Sequence, residues 1–74
     1  MDVSAAKGVP NRVREIRMAR RWTLEKLETE CGLTNGFISE IERGLKSPTI
    51  RSCQALARAL GVSVEELFPN GAME

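Results

Sequence analysis

Residues 23–44 of the chain are TLEKLETECGLTNGFISEIERG. A threonine stands near the beginning of each half of this stretch, and threonine is a good N-cap because its hydroxyl accepts a hydrogen bond from a first-turn amide. A glycine ends each half, and glycine tolerates the left-handed conformation that closes many helices. The apolar residues recur at intervals of three or four, as in helices packed on one face: Leu24, Leu27, Cys31, Phe37, Ile38 and Ile41. The stretch therefore predicts two short helices with a tight corner at Gly32.

A first helix is expected to precede this pair. Asn11 or the preceding Pro10 can begin it, because both residues are common at helix starts. Val13 and Ile16 follow at helical spacing and give the helix an apolar side. We expect this helix to end near Arg20.

Two more helices are expected to follow the pair. Ser47-Pro48-Thr49 is a turn that ends in an N-cap, and the fourth helix is predicted from there to Gly61. Ser63 and Glu66 have the spacing of a capping box, which begins a fifth helix that Pro69 terminates. The apolar positions of the two helices are Ile50, Cys53, Leu56, Ala57, Leu60, Val64, Leu67 and Phe68. No strand pattern is present, so the predicted fold class is all-α, with five short helices in one bundle.

The length of 74 residues is that of one small domain. We expect residues 1–9 to be a flexible N-terminal arm, residues 10–69 to be the folded domain, and residues 70–74 to be a flexible C-terminal tail. No apolar run approaches the roughly 18 residues that cross a bilayer. We therefore expect a cytoplasmic protein with no membrane partner.

The composition disfavours several kinds of site. The chain has no histidine, and its two cysteines, Cys31 and Cys53, lack CxxC spacing. We expect both to be small buried thiols and expect neither a metal site nor a disulfide. Carboxylates are scattered along the chain and no nucleophile elbow is present, so an enzyme is disfavoured and we expect no catalytic residue and no cofactor.

The charges are unevenly distributed, although the net charge is only +1. The first helical stretch has one carboxylate, Glu15, and its cations are Arg12, Arg14, Arg17, Arg20 and Arg21. Such a run is either a solvated helix face or part of a basic surface that attracts nucleic acid.

The two helices of residues 23–43, joined at a glycine corner, have the layout of a helix-turn-helix. The chain resembles the Cro and phage-repressor type of this motif, also called the xenobiotic response element family, over about residues 10–69. The segments that carry the resemblance are Thr23 to Cys31, Gly32-Leu33-Thr34, Phe37 to Gly44, Ser47-Pro48-Thr49 and Leu60-Gly61-Val62-Ser63. The resemblance implies a lambda-repressor-like, five-helix DNA-binding bundle whose partner is double-stranded DNA.

The resemblance also implies how the motif meets DNA: the helix of residues 34–43 lies in the major groove, and the helix from Thr23 crosses the phosphate backbone. By position it assigns base contacts to Asn35, Gly36, Ser39 and Glu40, and backbone contacts to Thr23, Thr34, Phe37, Arg43 and Lys46. Without DNA, polar residues on an exposed helix face are ordinary solubilising residues. Phe37 can equally be part of the core.

A structural ion pair is also implied, between Glu42 and an arginine of the first helix, with Arg17 preferred to Arg14.

Two positions depart from the family. Leu24 stands where a glutamine often bridges the phosphate and the third helix, and a leucine side chain has no hydrogen-bonding atom. Arg21 stands where a glycine usually ends the first helix, so either backbone strain is tolerated there or the helix ends differently.

The resemblance to stand-alone regulators, such as restriction-modification controllers and phage or plasmid repressors, implies a homodimer. We expect Val64, Leu67 and Phe68 to form the dimer interface; the alternative is that they close the monomer core.

The implied function is sequence-specific transcriptional regulation, by a repressor or controller that binds a pseudo-palindromic operator. The alternative is an antitoxin-like or protein-binding module. We expect no sensor domain after the fifth helix and therefore no small-molecule ligand.

Overall fold

The computed structural model describes residues 11–69, which form five α-helices. They are α1 (Val13–Ala19), α2 (Leu24–Cys31), α3 (Asn35–Glu42), α4 (Ile50–Leu60) and α5 (Val64–Leu67). No strand occurs within residues 11–69, and the predicted all-α bundle of five helices is confirmed. Pro10, the expected arm at 1–9 and the expected tail at 70–74 lie outside the described residues. None of the described helices is long and apolar enough to cross a bilayer.

Hydroxyl caps begin four of the helices. Thr23, Thr34, Thr49 and Ser63 precede α2, α3, α4 and α5, and each accepts a hydrogen bond from the backbone N–H three residues later. Glu66 completes the capping box at α5. Each such cap contributes about 1 kcal/mol. The caps matter because helices this short are unstable alone in water.

The start of α1 is fixed by contacts to other helices. Asn11 Oδ1 accepts from the backbone N–H of Val13 at 3.0 Å, and Asn11 Nδ2 donates to the carbonyl of Ile41 at 2.9 Å. The N–H of Arg12 donates to the carbonyl of Leu67 at 2.8 Å. The first turn of α1 is therefore joined to both α3 and the end of α5.

Arg21 ends α1 in the left-handed conformation, with φ of 60°. The N–H of Arg21 donates to the carbonyl of Met18 at 2.9 Å, and the N–H of Trp22 donates to the carbonyl of Arg17 at 3.2 Å. These two bonds form a Schellman motif, which usually has glycine at the left-handed position. Here the backbone strain is tolerated, and α1 ends as it would with glycine.

The core is shared by all five helices. Helix α2 packs against α3 and α4, α1 contacts α3 and α4, and α5 packs on α4. The buried apolar residues are Val13, Ile16, Leu27, Ile38, Ile41, Cys53, Leu56, Ala57, Leu60, Leu67 and Phe68. Ile50, expected in the apolar stripe of α4, lies at the first position of that helix and is 59 % exposed. The buried side of α4 therefore begins one turn later.

Two residues of the expected dimer interface lie in the monomer core. Leu67 and Phe68 are 0 % and 2 % exposed, which agrees with the alternative that they close the monomer core. A bundle this small has little apolar surface to bury, and it uses these two side chains to close its own core. Of the three expected residues, only Val64 remains partly exposed.

We expect Arg21→Gly to stabilise the domain by about 0.5–1 kcal/mol, because glycine adopts a positive φ without the steric cost of a side chain. Urea unfolding followed by circular dichroism measures the change. Arg20→Gly is the matched control, since it removes the same charge one residue earlier, where φ is −90°, and is expected to be destabilising. A loss of stability in Arg21→Gly would contradict backbone strain at this position.

Candidate nucleic-acid interface

Helix α3 has a buried side and a polar side. Ile38 and Ile41 have no exposed surface and hold the helix on the core. The residues that the sequence assigned to base contacts are all at least partly exposed, and they are Asn35, Gly36, Ser39 and Glu40. Phe37 is partly buried and packs against the core. The polar side can therefore meet a partner without disturbing the core.

Gly36 is not required by the packing of the free domain. A methyl group at this position would have no neighbour within 4 Å, and the residue is absent from the positive-φ positions. Glycine costs about 1 kcal/mol relative to alanine inside a helix. The first turn of α3 therefore presents bare, open backbone although the fold itself would accept a side chain.

The N-termini of α2 and α3 are open to solvent. Their caps, Thr23 and Thr34, are both exposed, and their hydroxyl oxygens accept from the N–H groups of Lys26 and Phe37 at 3.0 and 3.2 Å. The N–H groups of the first turn that remain have no partner within the helix. Together with the helix dipole they favour an anion such as a phosphate.

The ion pair that fixes α3 relative to α1 involves Arg17 and Glu42. Arg17 Nε and Nη2 donate to the two carboxylate oxygens of Glu42 at 2.7 and 3.1 Å, and Nη1 donates to the carbonyl of Trp22 at 2.7 Å. The side chains are only 11 % and 4 % exposed. Arg14, the second candidate of the sequence analysis, makes no ion pair within residues 11–69. Arg17 is therefore the partner of Glu42.

A cleft of about 300 Å³ opens beside this pair, and we call it the α1–α3 cleft. Its lining residues are Arg14, Arg17, Leu24, Ser39, Glu42 and Arg43. Arg43 is exposed, and its Nε donates to the carbonyl of Ser39 at 3.4 Å. Because Arg17 neutralises Glu42, the charges left for a ligand are those of Arg14 and Arg43. The cleft can therefore bind an anion, and Arg14 is a residue that the sequence analysis did not assign to the site.

Two expected base-contacting residues already have polar partners. Lys46 Nζ lies 4.0 Å from Glu40 Oε1. Lys46, which is expected to contact the DNA backbone, therefore lies beside Glu40, which is expected to contact a base. Asn35 Nδ2 donates to Glu28 Oε1 at 3.2 Å. Glu28 was missed by the sequence analysis, because its interval of seven residues from Asn35 spans the glycine corner and carries no motif signal.

Arg12, Glu15, Cys31 and Cys53 have shifted pKa values with simple causes. The hydrogen bonds from Arg12 lower the pKa of the Glu15 carboxyl, and the same carboxylate raises the pKa of Arg12. Burial raises the pKa of the thiols of Cys31 and Cys53. Both cysteines are unpaired, Cys53 is buried and Cys31 is partly buried. Protonated thiols are poor nucleophiles and poor metal ligands.

Comparison with known proteins gives consistent matches. The sequence profile of a helix-turn-helix family matches residues 13–67. The control protein C.BamHI of Bacillus amyloliquefaciens is 37 % identical over 58 residues, which are 77 % of this chain and 72 % of that protein. The immunity repressor protein of Bacillus phage phi105 is 30 % identical over 59 residues, 80 % of this chain and 41 % of that protein.

A solved structure shows the same arrangement of helices. The restriction-modification controller protein C.AhdI from Aeromonas hydrophila superimposes with a TM-score of 0.74 at 33 % identity. The match covers 77 % of this chain and 86 % of that chain. The similarity therefore extends over most of both chains.

We expect Arg17→Met to lower the free energy of unfolding by about 3–5 kcal/mol, because it leaves the Glu42 carboxylate buried without its partner. Glu42→Leu should lower the free energy of unfolding by a similar amount. The double variant should lower it by clearly less than the sum of the two single changes. Urea unfolding of the three variants gives the coupling energy. The exposed pair of Arg12 with Glu15 supplies the control. Arg12→Met should leave the free energy of unfolding unchanged. Strictly additive losses would refute the coupling.

Proposed function

Because the chain belongs to the helix-turn-helix family of Cro and phage-repressor type transcriptional regulators, we propose that it binds a pseudo-palindromic operator as a homodimer. Helix α3 enters the major groove in this proposal, and the N-terminus of α2 lies against the phosphate backbone. The protein acts in the cytoplasm as a repressor or controller, as the relatives named a control protein and an immunity repressor suggest.

The observation that carries the proposal is the polar side of α3 beside two open helix N-termini. The major groove is about 12 Å wide and admits one helix, whose exposed side chains then face the base edges. The N–H groups at the starts of α2 and α3 suit the phosphates on either side of the groove.

The proposed base contacts follow from hydrogen-bonding chemistry. The amide of Asn35 matches an adenine edge, and the hydroxyl of Ser39 can contact any base. Glu40 can accept from the amino group of a cytosine. Gly36 contributes its open backbone, over which DNA can approach closely.

The proposed phosphate contacts surround these residues. They are Thr23 and Thr34 with their helix N-termini, the exposed cations Arg43 and Lys46, the half-buried ring of Phe37 against the sugar, and Arg14 from the α1–α3 cleft. Such contacts position a protein on DNA without choosing its sequence. Arg14 and Arg43 supply the hydrogen bonds that Leu24 cannot make.

The direct test is selection of bound sequences from a pool of random DNA duplexes at two salt concentrations, with the mass of the protein in solution measured in parallel. We expect a pseudo-palindromic consensus bound by dimers, with half-sites one helical turn apart, roughly 34 Å. No enrichment at either salt concentration would overturn the proposal and leave the protein-binding alternative.

Variants of α3 separate base from phosphate contacts. We expect Ser39→Ala to reduce the preference for the selected site by about 1–3 kcal/mol, and Arg43→Ala to weaken binding to all duplexes and to lower the salt slope by about one unit. Binding titrations at several salt concentrations measure both effects. Arg58→Ala removes an exposed arginine in the last turn of α4 and should leave both quantities unchanged. Equal effects of Ser39→Ala on selected and random DNA would refute the base contact.

The proposed dimer interface now centres on the corner between α4 and α5. Val64 is partly exposed there, as are Ala59 and Val62, and all three pack on the edge of the core. An isologous interface of this kind would place the two α3 helices symmetrically on the DNA. Leu67 and Phe68 support this surface from beneath.

We expect Val64→Glu to give a folded monomer of 8.2 kDa, because a glutamate is well accommodated at the first position of a helix but not in an apolar interface. Light scattering measures the mass, and circular dichroism confirms folding. Ile50→Glu is the control, since it adds the same charge at the first position of α4 on an exposed residue and should leave the dimer intact. A dimeric Val64→Glu would locate the interface elsewhere.

A further inference from the structure

Helices α2 and α3 are joined by a hydrogen bond between Glu28 and Asn35. Glu28 Oε1 accepts from Asn35 Nδ2 at 3.2 Å. Within residues 11–69 it is the one side-chain to side-chain hydrogen bond between α2 and α3. Both residues are partly exposed, so the pair lies at the edge of the polar side of α3 and not in the core.

The chemistry of the two groups fixes the direction of the amide. An ionised carboxylate has only acceptors, whereas the side chain of asparagine has a donor end and an acceptor end. The Glu28 carboxylate can therefore bind only the nitrogen of Asn35. One N–H of that nitrogen and the Oδ1 atom remain for another partner.

An adenine edge requires this remaining pair of groups. In the major groove adenine presents the N7 acceptor beside the N6 donor, and one asparagine amide can bind both. A rotation of the amide by 180° would exchange its two ends. Leu24, at the start of α2, has no polar side-chain atom that could hold the amide in place.

We propose that Glu28 is a positioning residue that orients the Asn35 amide for an adenine in the operator. The proposal rests on the proposed function, and it specifies an A·T base pair opposite the first turn of α3. Glu28 does not contact the base and acts through Asn35. Its negative charge near phosphates weakens binding to all DNA. Glu28 therefore increases the preference for A·T over other base pairs at the expense of the overall affinity for DNA.

The test compares Glu28→Gln with the parent protein on the duplex obtained by selection. The position that Asn35 contacts is first located as the base pair whose preference is lost in Asn35→Ala. Duplexes with each of the four base pairs at that position are then titrated. Glutamine is nearly isosteric with glutamate, but it can donate to Oδ1 as well as accept from Nδ2, so it no longer fixes the amide.

We expect the parent protein to prefer A·T at that position by about tenfold. Glu28→Gln should lose most of this preference, keep the preferences at all other positions, and bind random DNA more tightly. Glu25→Gln is the matched control, because it removes the same charge from the first turn of α2 without touching Asn35. It should strengthen binding to all duplexes equally and leave the preference for A·T unchanged.

A double variant tests whether Glu28 acts through Asn35. In Asn35→Ala, the further change Glu28→Gln should alter no base preference at all. An unchanged preference for A·T in Glu28→Gln alone, or a changed preference in the double variant, would overturn the positioning role. If the parent protein selects no sequence, the proposed function itself fails, and the two failures are therefore distinguishable.

Discussion

The guanidinium of Arg17 joins three parts of the chain that are separate in sequence. It binds both carboxylate oxygens of Glu42 at the end of α3 and the carbonyl of Trp22 in the connection that precedes α2. The beginning of α2 and the end of α3 are therefore both held to α1. Because the two charged side chains are almost fully buried, removal of either one leaves the other without its partner and destabilises the domain. The relative placement of α2 and α3, and with it the polar surface of α3, depends on this interaction.

The ends of the helices serve both folding and binding. α2 and α3 have eight residues each, which is too short for stability in isolation. Thr23 and Thr34 stabilise them by capping one first-turn amide, and the remaining amides of the same turns stay open for an anion. The side chain of Leu24 cannot hydrogen-bond to the phosphate that we propose at the start of α2. The α1–α3 cleft offers Arg14 and Arg43 instead.

Much of the fold, but less of the site, could be predicted from the sequence. Threonine and glycine marked the limits of α2 and α3, because caps and left-handed ends are properties of short segments. The contact between Glu28 and Asn35 could not be found in this way, since it crosses the corner between two helices. Arg14 was considered as a partner of Glu42, and only the packing of α1 on α3 shows that it lines the cleft instead.

The sequence by itself determined the number and order of the helices and the limits of α2 to α5, because caps, glycine ends and apolar spacing act over a few residues. The start of α1 depends also on contacts with α3 and α5. The sequence also predicted the left-handed strain at Arg21 as one of two possibilities. Only the tertiary structure decided which apolar side chains remain accessible. Periodicity shows that Leu67 and Phe68 share an apolar side with Val64, but burial depends on what packs over that side. In a domain this small the two side chains are needed to close the core, so only the assembled bundle shows which apolar surface remains for the proposed dimer interface.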